Sequence, residues 1–414
     1  MAKLAVIGGG FVGLSSAYWL LRDGHQVTLF DAAGVGHRAG GASFGNAGTF
    51  ATYACIPVNN PSVFRDLPRY LLSARSPLRL RWPYLPMLAP WLARFLWHST
   101  PARSEASTRA LAQLLARAQG GYDALIAQAG LAGFIRPQEC LYLYSSEAAY
   151  AGALAGLDLR RTLGVPVQTL QAAEIAALEP ALEPIFVRGA LFGGSWHLSD
   201  PAGFLQTLQC YLQAQGLQWH AHAATALRPG PQAVRVACAD HESAYDYVAL
   251  CAGVHSKALA AQCGDPLPLG AERGYHWMFA GGQNLISRPV GWAERGFYMT
   301  PMAQGIRVAG TVELAGLAPQ KHAGLLDLLQ FSARRALPGL GTPQAPWLGF
   351  RPTLPDGLPV LGRSRHSERV IYAFGHQHIG LTLGGLSGAL VADSVAGRAP
   401  PVDLAAFAPG RFRS

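Results

Sequence analysis

The stretch that decides the fold is Lys3-Leu4-Ala5-Val6-Ile7-Gly8-Gly9-Gly10-Phe11-Val12-Gly13, followed by an apolar run and by Gln26-Val27-Thr28-Leu29-Phe30-Asp31. It predicts a strand, a glycine-rich turn, a helix and a second strand that ends in an acid. Because these elements occur in the required order, the stretch is typical of a dinucleotide-binding βαβ unit rather than of an isolated glycine-rich turn.

The glycines of this unit and its closing acid each have a physical role in binding a dinucleotide. Gly8 permits the tight turn, Gly10 lets the backbone approach a pyrophosphate, and Gly13 lets the helix pack closely on the strand. Asp31 is placed to accept a hydrogen bond from a ribose hydroxyl. The residues expected to bind the cofactor here are Gly8, Gly10, Phe11, Val12, Gly13 and Asp31.

The composition indicates a compact enzyme-like protein of more than one domain. Half of the 414 residues are hydrophobic and 14% are charged, which excludes a disordered chain. The six cysteines lack a CxxC or other ligand-like spacing, so we expect reduced, buried thiols, no disulfide framework and no metal site. The first strand begins at once, without a charged leader, which favours a cytoplasmic protein.

A basic and aromatic segment runs from Phe64 to Arg103. The chain has a formal charge of +9, which attracts flavin phosphates, nucleic acid and acidic lipids alike. This segment holds seven arginines with Asp66 as its one acid, and Trp and Tyr residues lie between them. Its apolar runs are too interrupted to span a bilayer. Two interpretations stay open: helices packed on the core with outward arginines, or a segment that lies on a membrane surface.

Residue patterns along the chain predict an α/β fold with a discontinuous cofactor domain. Residues 34–48 form a glycine-rich cofactor loop, and residues 60–185 are expected to be largely helical, with periodic runs at 111–131 and 148–178 and a possible strand at 141–144. Patterns typical of alternating helices and strands follow at 201–251 and 370–395. Alternating residues at 264–345 predict an antiparallel sheet. The predicted elements of the α/β passages are a helix at 201–216, strands at 217–221, 233–238, 247–251 and 370–374, and a helix at 382–395.

Several motifs resemble those of the D-amino acid oxidase-like family of FAD-dependent oxidoreductases. They are the N-terminal fingerprint, Ala42-Ser43-Phe44-Gly45-Asn46-Ala47-Gly48, Tyr298-Met299-Thr300-Pro301, the run from Gly349 to Gly362, and Gly375-His376-Gln377-His378-Ile379-Gly380-Leu381-Thr382. The resemblance covers nearly the whole chain, and the Asn-Ala-Gly form is most similar to the bacterial D-amino acid dehydrogenase branch. It implies a Rossmann-like FAD-binding domain (1–54, 187–262 and 346–414) and an α+β substrate domain on an antiparallel sheet (55–186 and 263–345).

The resemblance implies FAD as the cofactor. Relatives that tether FAD covalently carry a His near position 46 or a cysteine in the C-terminal region, and this chain has neither, so non-covalent FAD is expected. A helix that starts near Thr382 would aim its N–H groups at the anionic part of reduced flavin, although the glycines before it could also serve only packing. The further residues expected at the cofactor are Ser43, Asn46, Ala47, Gly48, Gly253, Gly375, His376, Gly380, Leu381 and Thr382.

Arg351 is the leading candidate for binding substrate. An arginine in so apolar a setting needs an anion, and the resemblance implies that this anion is the substrate carboxylate, with a second hydrogen bond from Tyr298. The alternative is a salt bridge to an internal acid such as Asp356. Tyr53 and His378 are weaker candidates for the substrate pocket. The sequence identifies no catalytic residue and no carboxylate in the pocket, which favours a substrate with a neutral or small cyclic side chain.

The expected reaction is oxidation of a D-amino acid or a cyclic secondary amino acid, such as D-alanine, D-proline or a hydroxyproline, by hydride transfer from Cα to flavin N5. A quinone or electron carrier would take the electrons. Three alternatives stay open: an amine oxidase that uses oxygen, a tRNA-modifying flavoenzyme that acts on a glycine-like substituent, and an electron-relaying subunit. The expected partners are a small amino acid and an electron acceptor, with no nucleic acid. The expected location is the cytoplasm or the inner face of the membrane.

Overall fold

The computed structural model of the chain describes residues 1–32, 41–65, 76–239 and 241–412. Parts of two sequence predictions, the loop at 34–48 and the basic segment at 64–103, lie outside these residues. The strands are β1 (Lys3–Ile7), β2 (Gln26–Phe30), β3 (Thr49–Phe50), β4 (Leu78–Leu80), β5 (Ile135–Arg136), β6 (Cys140–Tyr144), β7 (Val167–Gln171), β8 (Arg188–Phe192), β9 (Trp196–Leu198), β10 (Gln218–His220), β11 (Ala226–Pro229), β12 (Val234–Ala237), β13 (Glu242–Tyr245), β14 (Tyr247–Leu250), β15 (Gly270–Ala280), β16 (Val290–Trp292), β17 (Phe297–Met302), β18 (Gly305–Leu314), β19 (Thr342–Pro343), β20 (Trp347–Thr353), β21 (Val360–Arg363) and β22 (Val370–Phe374).

The α-helices lie between these strands, joined in places by short 3₁₀ turns. They are α1 (Phe11–Arg22), α2 (Leu85–His98), α3 (Pro101–Leu115), α4 (Asp123–Gln128), α5 (Glu147–Thr162), α6 (Ala172–Leu178), α7 (Pro201–Ala214), α8 (Ser256–Gln262), α9 (Ala323–Ala336) and α10 (Gly380–Ala396).

A six-stranded sheet in the order β10-β2-β1-β14-β22-β21 carries the predicted βαβ unit. Its strands are parallel except for β21, which runs antiparallel to β22. Residues Leu4–Ile7 of β1 are buried, as expected for a strand with both faces covered. One face packs on α1, α3, α7 and α10, and the other on α8 and the three-stranded antiparallel sheet of β11, β12 and β13. This arrangement confirms the predicted Rossmann-like part of an α/β fold.

A second, ten-stranded sheet confirms the predicted antiparallel region. Its long strands β15 and β18 pair antiparallel, β20 adds to the other side of β15, and β6, β7 and β8 extend the far edge. Helix α9 packs on this sheet through Leu325, Leu326 and Leu329. The sequence prediction of strands across 264–345 missed this helix.

Three other sequence predictions are corrected by the structure. The helical run expected at 148–178 is interrupted by β7, a mostly exposed strand at the edge of the large sheet. The run at 111–131 is broken after α3. The strand expected at 233–238 is confirmed as β12, and it lies in the small antiparallel sheet. Among the free cysteines, Cys210 is exposed, whereas the other five are buried as expected.

The described part of the chain has neither a membrane-spanning helix nor a metal-binding cluster. None of its helices is long and apolar enough to cross a membrane. None of its clusters of His, Cys, Asp and Glu residues could hold a metal ion.

Candidate active site

A cavity of about 960 Å³ extends from the glycine-rich turn after β1 to the face of the large sheet. This volume is at the upper end of the range for small-molecule and cofactor sites. The cavity brings together residues that are far apart in the sequence. The predicted site residues that line it are Gly8, Gly10, Phe11, Val12, Asp31, Ser43, Asn46, Ala47, Tyr53, Gly253, Tyr298, Arg351, Gly375, His376, His378, Gly380 and Leu381.

Three predicted cofactor residues, Gly13, Gly48 and Thr382, do not line this cavity. Gly13 lies behind the turn, the backbone N–H of Gly48 donates to Asn46 Oδ1 at 2.8 Å, and the Thr382 hydroxyl accepts from the backbone N–H of Ala51 at 2.9 Å. Their positions make them supports of the cavity wall.

The glycine-rich turn has the geometry that phosphate binding requires. Gly8 has a φ of +106°, and a Cβ placed on Gly13 would lie 1.8 Å from the carbonyl oxygen of Gly8, so no larger residue fits there. Asp31 Oδ2 accepts from the backbone N–H of Gly9 at 2.7 Å. This hydrogen bond ties the end of β2 to the turn, and the Asp31 carboxylate faces the cavity.

A second helix N-terminus also faces the cavity. Helix α10 begins at Gly380, two residues earlier than the sequence predicted, and Gly380 and Leu381 line the cavity. The first N–H groups of a helix have no partner within the helix, and its dipole is positive at this end. This wall of the cavity therefore favours negative charge.

Arg351 reaches the cavity from β20. Its Nη1 donates to the backbone carbonyl of Thr311 at 3.0 Å, and its guanidinium occupies the space that a side chain at position 274 would fill, where the sequence has Gly274. Burial lowers the pKa of Arg351, whereas Glu272 opposes this change. The alternative partner Asp356 instead bonds Arg411, with Nε to Oδ2 at 2.6 Å.

Glu272 is a carboxylate in the cavity that the sequence analysis did not identify. It lies on β15 directly opposite Arg351 on β20 and accepts from Gln377 Nε2 at 3.3 Å. Burial raises the pKa of the Glu272 carboxyl, and the positive charge of Arg351 offsets part of that rise. Side chains alternate between the two faces of a strand, so Glu272 lies on the same face of β15 as Gly274. This alternation is the signal in the sequence that could have identified Glu272.

Tyrosine side chains form another part of the cavity lining. The Tyr298 hydroxyl donates to the Tyr142 hydroxyl, and the two rings lie 5.4 Å apart. Tyr53 packs edge-on against Tyr142 with ring centroids 6.3 Å apart. Burial raises the pKa of all three phenols, so they are neutral donors. Tyr142 was missed by sequence reasoning, since its strand shows no motif.

Tyr275 also touches the cavity, but its hydroxyl is already used. It donates to Glu313 and accepts from the backbone N–H of His322 at 3.2 Å. Its position therefore supports the sheet.

His376 and His378 are both neutral in the folded chain. His376 Nε2 forms a 2.8 Å hydrogen bond with Ser387 Oγ, and burial lowers its pKa to about 3. Burial, assisted by the charge of Arg351, lowers the pKa of His378 to about 4. His378 thus lies near the Arg351 guanidinium as an uncharged side chain.

Backbone strain coincides with this end of the cavity. Among the described residues, Thr311 and Gln377 are the non-glycine residues with positive φ, at 60° and 51°. The carbonyl of Thr311 binds Arg351, and the side chain of Gln377 binds Glu272. Strained residues of this kind persist where the surrounding structure fixes them and are concentrated at functional sites.

Buried polar atoms along the cavity are available to a ligand. In the part of the chain that the structure describes, Thr49 Oγ1, Thr311 Oγ1 and Trp347 Nε1 are buried without a hydrogen-bonding partner, and all three residues line the cavity. Leaving such atoms unpaired costs about 1 to 3 kcal/mol each, so a polar ligand that reaches them is favoured. A long dinucleotide that extends from the glycine-rich turn toward Arg351 fits this distribution.

Comparison with known proteins gives one consistent result. The family model described as DAO, FAD dependent oxidoreductase, matches residues 3–394. A D-amino-acid oxidase of Bradyrhizobium diazoefficiens is 36% identical over 99% of this chain and 98% of its own length, and a D-amino acid dehydrogenase of Ralstonia nicotianae is 31% identical over 99% and 100%. The solved glycine oxidase of Geobacillus kaustophilus shares the fold, with a TM-score of 0.77, 21% identity and coverage of 100% and 99%.

Proposed function

The chain belongs to the DAO family of FAD-dependent oxidoreductases, and on that premise we propose that it oxidises the Cα–N bond of a D-amino acid or a cyclic secondary amino acid. The observation that carries this proposal is the Arg351 guanidinium of the large sheet, which lines the same cavity as Tyr298. A guanidinium binds a carboxylate through two parallel hydrogen bonds. The curated relatives at 36% and 31% identity, named as D-amino-acid oxidase and D-amino acid dehydrogenase, support the substrate class.

FAD is the cofactor of this family, and when bound it accepts the two electrons of the oxidation. The residues proposed to hold it non-covalently are the turn at Gly8–Val12, Asp31, the loop at 43–47, Gly253 and the N-terminus of α10. The proposed FAD-binding domain comprises 1–54, 187–262 and 346–414, and the proposed substrate domain comprises 55–186 and 263–345.

The protein's own contribution is positioning. Arg351 would fix the substrate carboxylate. The Tyr298 hydroxyl, which donates to Tyr142 in this structure, would turn to donate a second hydrogen bond to that carboxylate. Cα is then held in one orientation, and much of the rate comes from alignment. Tyr53 and His378 would bound the pocket on either side. A neutral substrate amine provides the electron density for oxidation, so a protein base is not required.

The side chain of the preferred substrate is proposed to be neutral or small and cyclic. The carboxylates among the described lining residues are Asp31, at the dinucleotide end, and Glu272, whose charge is opposed by Arg351. Asp31 lies at the dinucleotide end and Glu272 is the direct strand partner of Arg351, so neither is proposed to bind the side chain of the substrate. Anaerobic bleaching of the bound flavin by a panel of D- and L-amino acids tests this proposal, and bleaching by L-amino acids alone would contradict it.

A quinone or an electron carrier is the proposed acceptor, with oxygen as the second candidate. The dehydrogenase name of the Ralstonia nicotianae relative supports the first, and the oxidase name of the Bradyrhizobium diazoefficiens relative supports the second. The ratio of turnover with a quinone analogue to turnover with oxygen distinguishes them. Stoichiometric peroxide at full rate would favour the oxidase.

Contact with an anionic membrane surface is proposed for α2 and the turn before it. Leu88 is the one buried residue of this amphipathic helix, whereas Trp82, Met87 and Trp97 are 63%, 73% and 59% exposed. Exposed Arg81 and Arg94 accompany them, and the sequence has no acid between Asp66 and Glu105. Apolar anchors with cationic neighbours complement anionic lipid headgroups.

A further inference from the structure

Two buried basic side chains of the large sheet hold three successive carbonyls of the loop that lines the cofactor cavity. Arg307 Nη1 donates to the carbonyl of Asn46 at 2.7 Å and to that of Phe44 at 3.3 Å. His276 Nδ1 forms a 3.1 Å hydrogen bond with the carbonyl of Gly45 between them. The clamp, as we call Arg307 with His276, thus binds the carbonyl oxygens of all three residues.

The clamp is built into the sheet. Met278 of β15 pairs directly with Arg307 of β18, so His276 and Arg307 are diagonal neighbours on one face. Each is 5% exposed, and His276 also stacks on Trp347 with ring centroids 4.8 Å apart. These restraints leave both side chains little rotamer freedom.

The clamp lies behind the loop. Phe44, Gly45 and Asn46 line the cavity, whereas Arg307 and His276 do not. The carbonyl oxygens that bind the clamp therefore point out of the cavity wall, and the negative ends of these dipoles are turned away from a bound cofactor. The orientation of three consecutive peptide groups depends on two side chains that are more than 200 residues away in the sequence.

Arg307 also brings a charge to this position. It forms no ion pair with any described residue, and its hydrogen bonds are to neutral carbonyls. Burial lowers the pKa of Arg307 to about 10, and the charge of Asp200 opposes this change, so the guanidinium is charged at neutral pH. Burial lowers the pKa of His276 to about 3, which leaves that ring neutral. The clamp therefore carries one positive charge, located on Arg307.

The charge lies behind a loop that lines the cavity, since Arg307 binds the carbonyls of Phe44 and Asn46. A dinucleotide held at the turn of Gly8, with its reactive end toward Arg351, would bring its flavin to the 44–46 loop. Reduction adds negative charge to the flavin, and a buried positive charge stabilises that form more than it would in water.

We propose that Arg307 and His276 position the 44–46 loop against FAD, and that the buried charge of Arg307 raises the affinity of the site for the reduced form of the cofactor. Arg307 acts through the loop and its field and is a positioning residue. The proposal depends on FAD binding and is independent of which amino acid is oxidised.

The test compares the reduction potential of bound FAD, measured by anaerobic equilibration with a reference dye, and the FAD dissociation constant, measured by titration of apoprotein. In R307M we expect the preference for reduced FAD to fall at least tenfold, which for a two-electron couple is a potential lower by about 30 mV. R307K retains the charge but lacks the rigid planar guanidinium whose Nη1 donates to both carbonyls. It should keep the potential and bind FAD more weakly.

Matched variants separate the charge from the hydrogen bonds. H276Q should weaken FAD binding severalfold without changing the potential. Arg334 binds the successive carbonyls of Leu340 and Gly341 at 3.0 and 2.9 Å, in a loop that does not line the cavity, so R334M should change neither quantity.

If R307M does not fold, R307Q serves as the neutral variant. A wild-type potential in the neutral variant, or an equal fall in R307K, would overturn the proposed role of the charge, and unchanged FAD affinity in all clamp variants would overturn the positioning role.

Discussion

Glu272 of β15 and Arg351 of β20 are direct partners across two antiparallel strands, so a buried carboxylate lies beside the guanidinium proposed to bind substrate. Removing the Glu272 charge leaves Arg351 uncompensated and should strengthen its attraction for a carboxylate. In E272Q we therefore expect severalfold tighter binding of an unreactive carboxylate such as propionate, measured by the perturbation of the flavin spectrum. Weaker binding would instead identify Glu272 as the residue that holds Arg351 in place.

Substitution of Arg351 by lysine keeps the charge and loses the planar fork. We expect the substrate constant to worsen by about tenfold to a thousandfold, equivalent to about 1.4 to 4 kcal/mol, while FAD remains bound. The exposed Arg335, on α9, provides the control R335K, which should leave steady-state kinetics unchanged. Wild-type kinetics in R351K would remove Arg351 from the substrate site.

The dinucleotide end of the site could be predicted from sequence because its determinants are local. Gly8, Gly10 and Asp31 lie within one βαβ unit, and the spacing of their residue types encodes the geometry directly. Arg351 could be predicted from the sequence for a different reason, because a cation within an apolar strand needs an anion.

The rest of the site depends on long-range pairing that no local pattern encodes. Glu272 is a site residue because β15 pairs with β20, which carries Arg351. Arg307 is one because β18 brings it to the carbonyls of the 44–46 loop. Helix α9 was missed because the alternating strands around it dominated the pattern of that region. The periodicity of a sequence shows which face of a helix or strand is apolar. Which other element packs against that face is set by the topology of the fold.

Non-covalent FAD predicts that denaturation releases all of the flavin into solution as FAD and not as FMN, because the glycine-rich turn and Asp31 serve only a dinucleotide. Analysis of the supernatant after heat precipitation checks this. The variant G13A places a Cβ 1.8 Å from the Gly8 carbonyl oxygen and should purify without flavin. The control G133A, where a Cβ meets nothing within 4 Å, should purify yellow. Flavin that stays with the precipitate would contradict the prediction.

Buried neutral histidines make the stability of the fold depend on pH. Burial lowers the pKa of His376 to about 3 from the ordinary value of 6.5. The unfolded chain therefore binds a proton that the folded chain excludes, so the contribution is fully present above pH 6.5 and is lost as the pH falls toward 3. Between the two pKa values, each such histidine makes the free energy of unfolding rise by about 1.4 kcal/mol per pH unit. Denaturant unfolding of H376Q with saturating FAD between pH 6.5 and 5 should show a slope smaller by that amount, and an unchanged slope would mean that His376 takes up its proton in the folded state.

The exposed apolar face of α2 predicts binding to anionic vesicles. Wild-type protein should sediment with phosphatidylglycerol vesicles at low salt and much less at high salt or with neutral vesicles, because screening weakens the arginine contacts. Removing two arginines in R81Q/R94Q should weaken binding about thirtyfold, since each contributes about 1 kcal/mol near a charged surface. W82S/W97S should abolish the salt-resistant part of binding. The double variant F331S/R335Q, which removes an exposed aromatic residue and an arginine from α9, is the matched control and should bind as wild type does. Absence of wild-type binding at low salt, or equal loss in the control, would show that α2 is not a membrane-binding face.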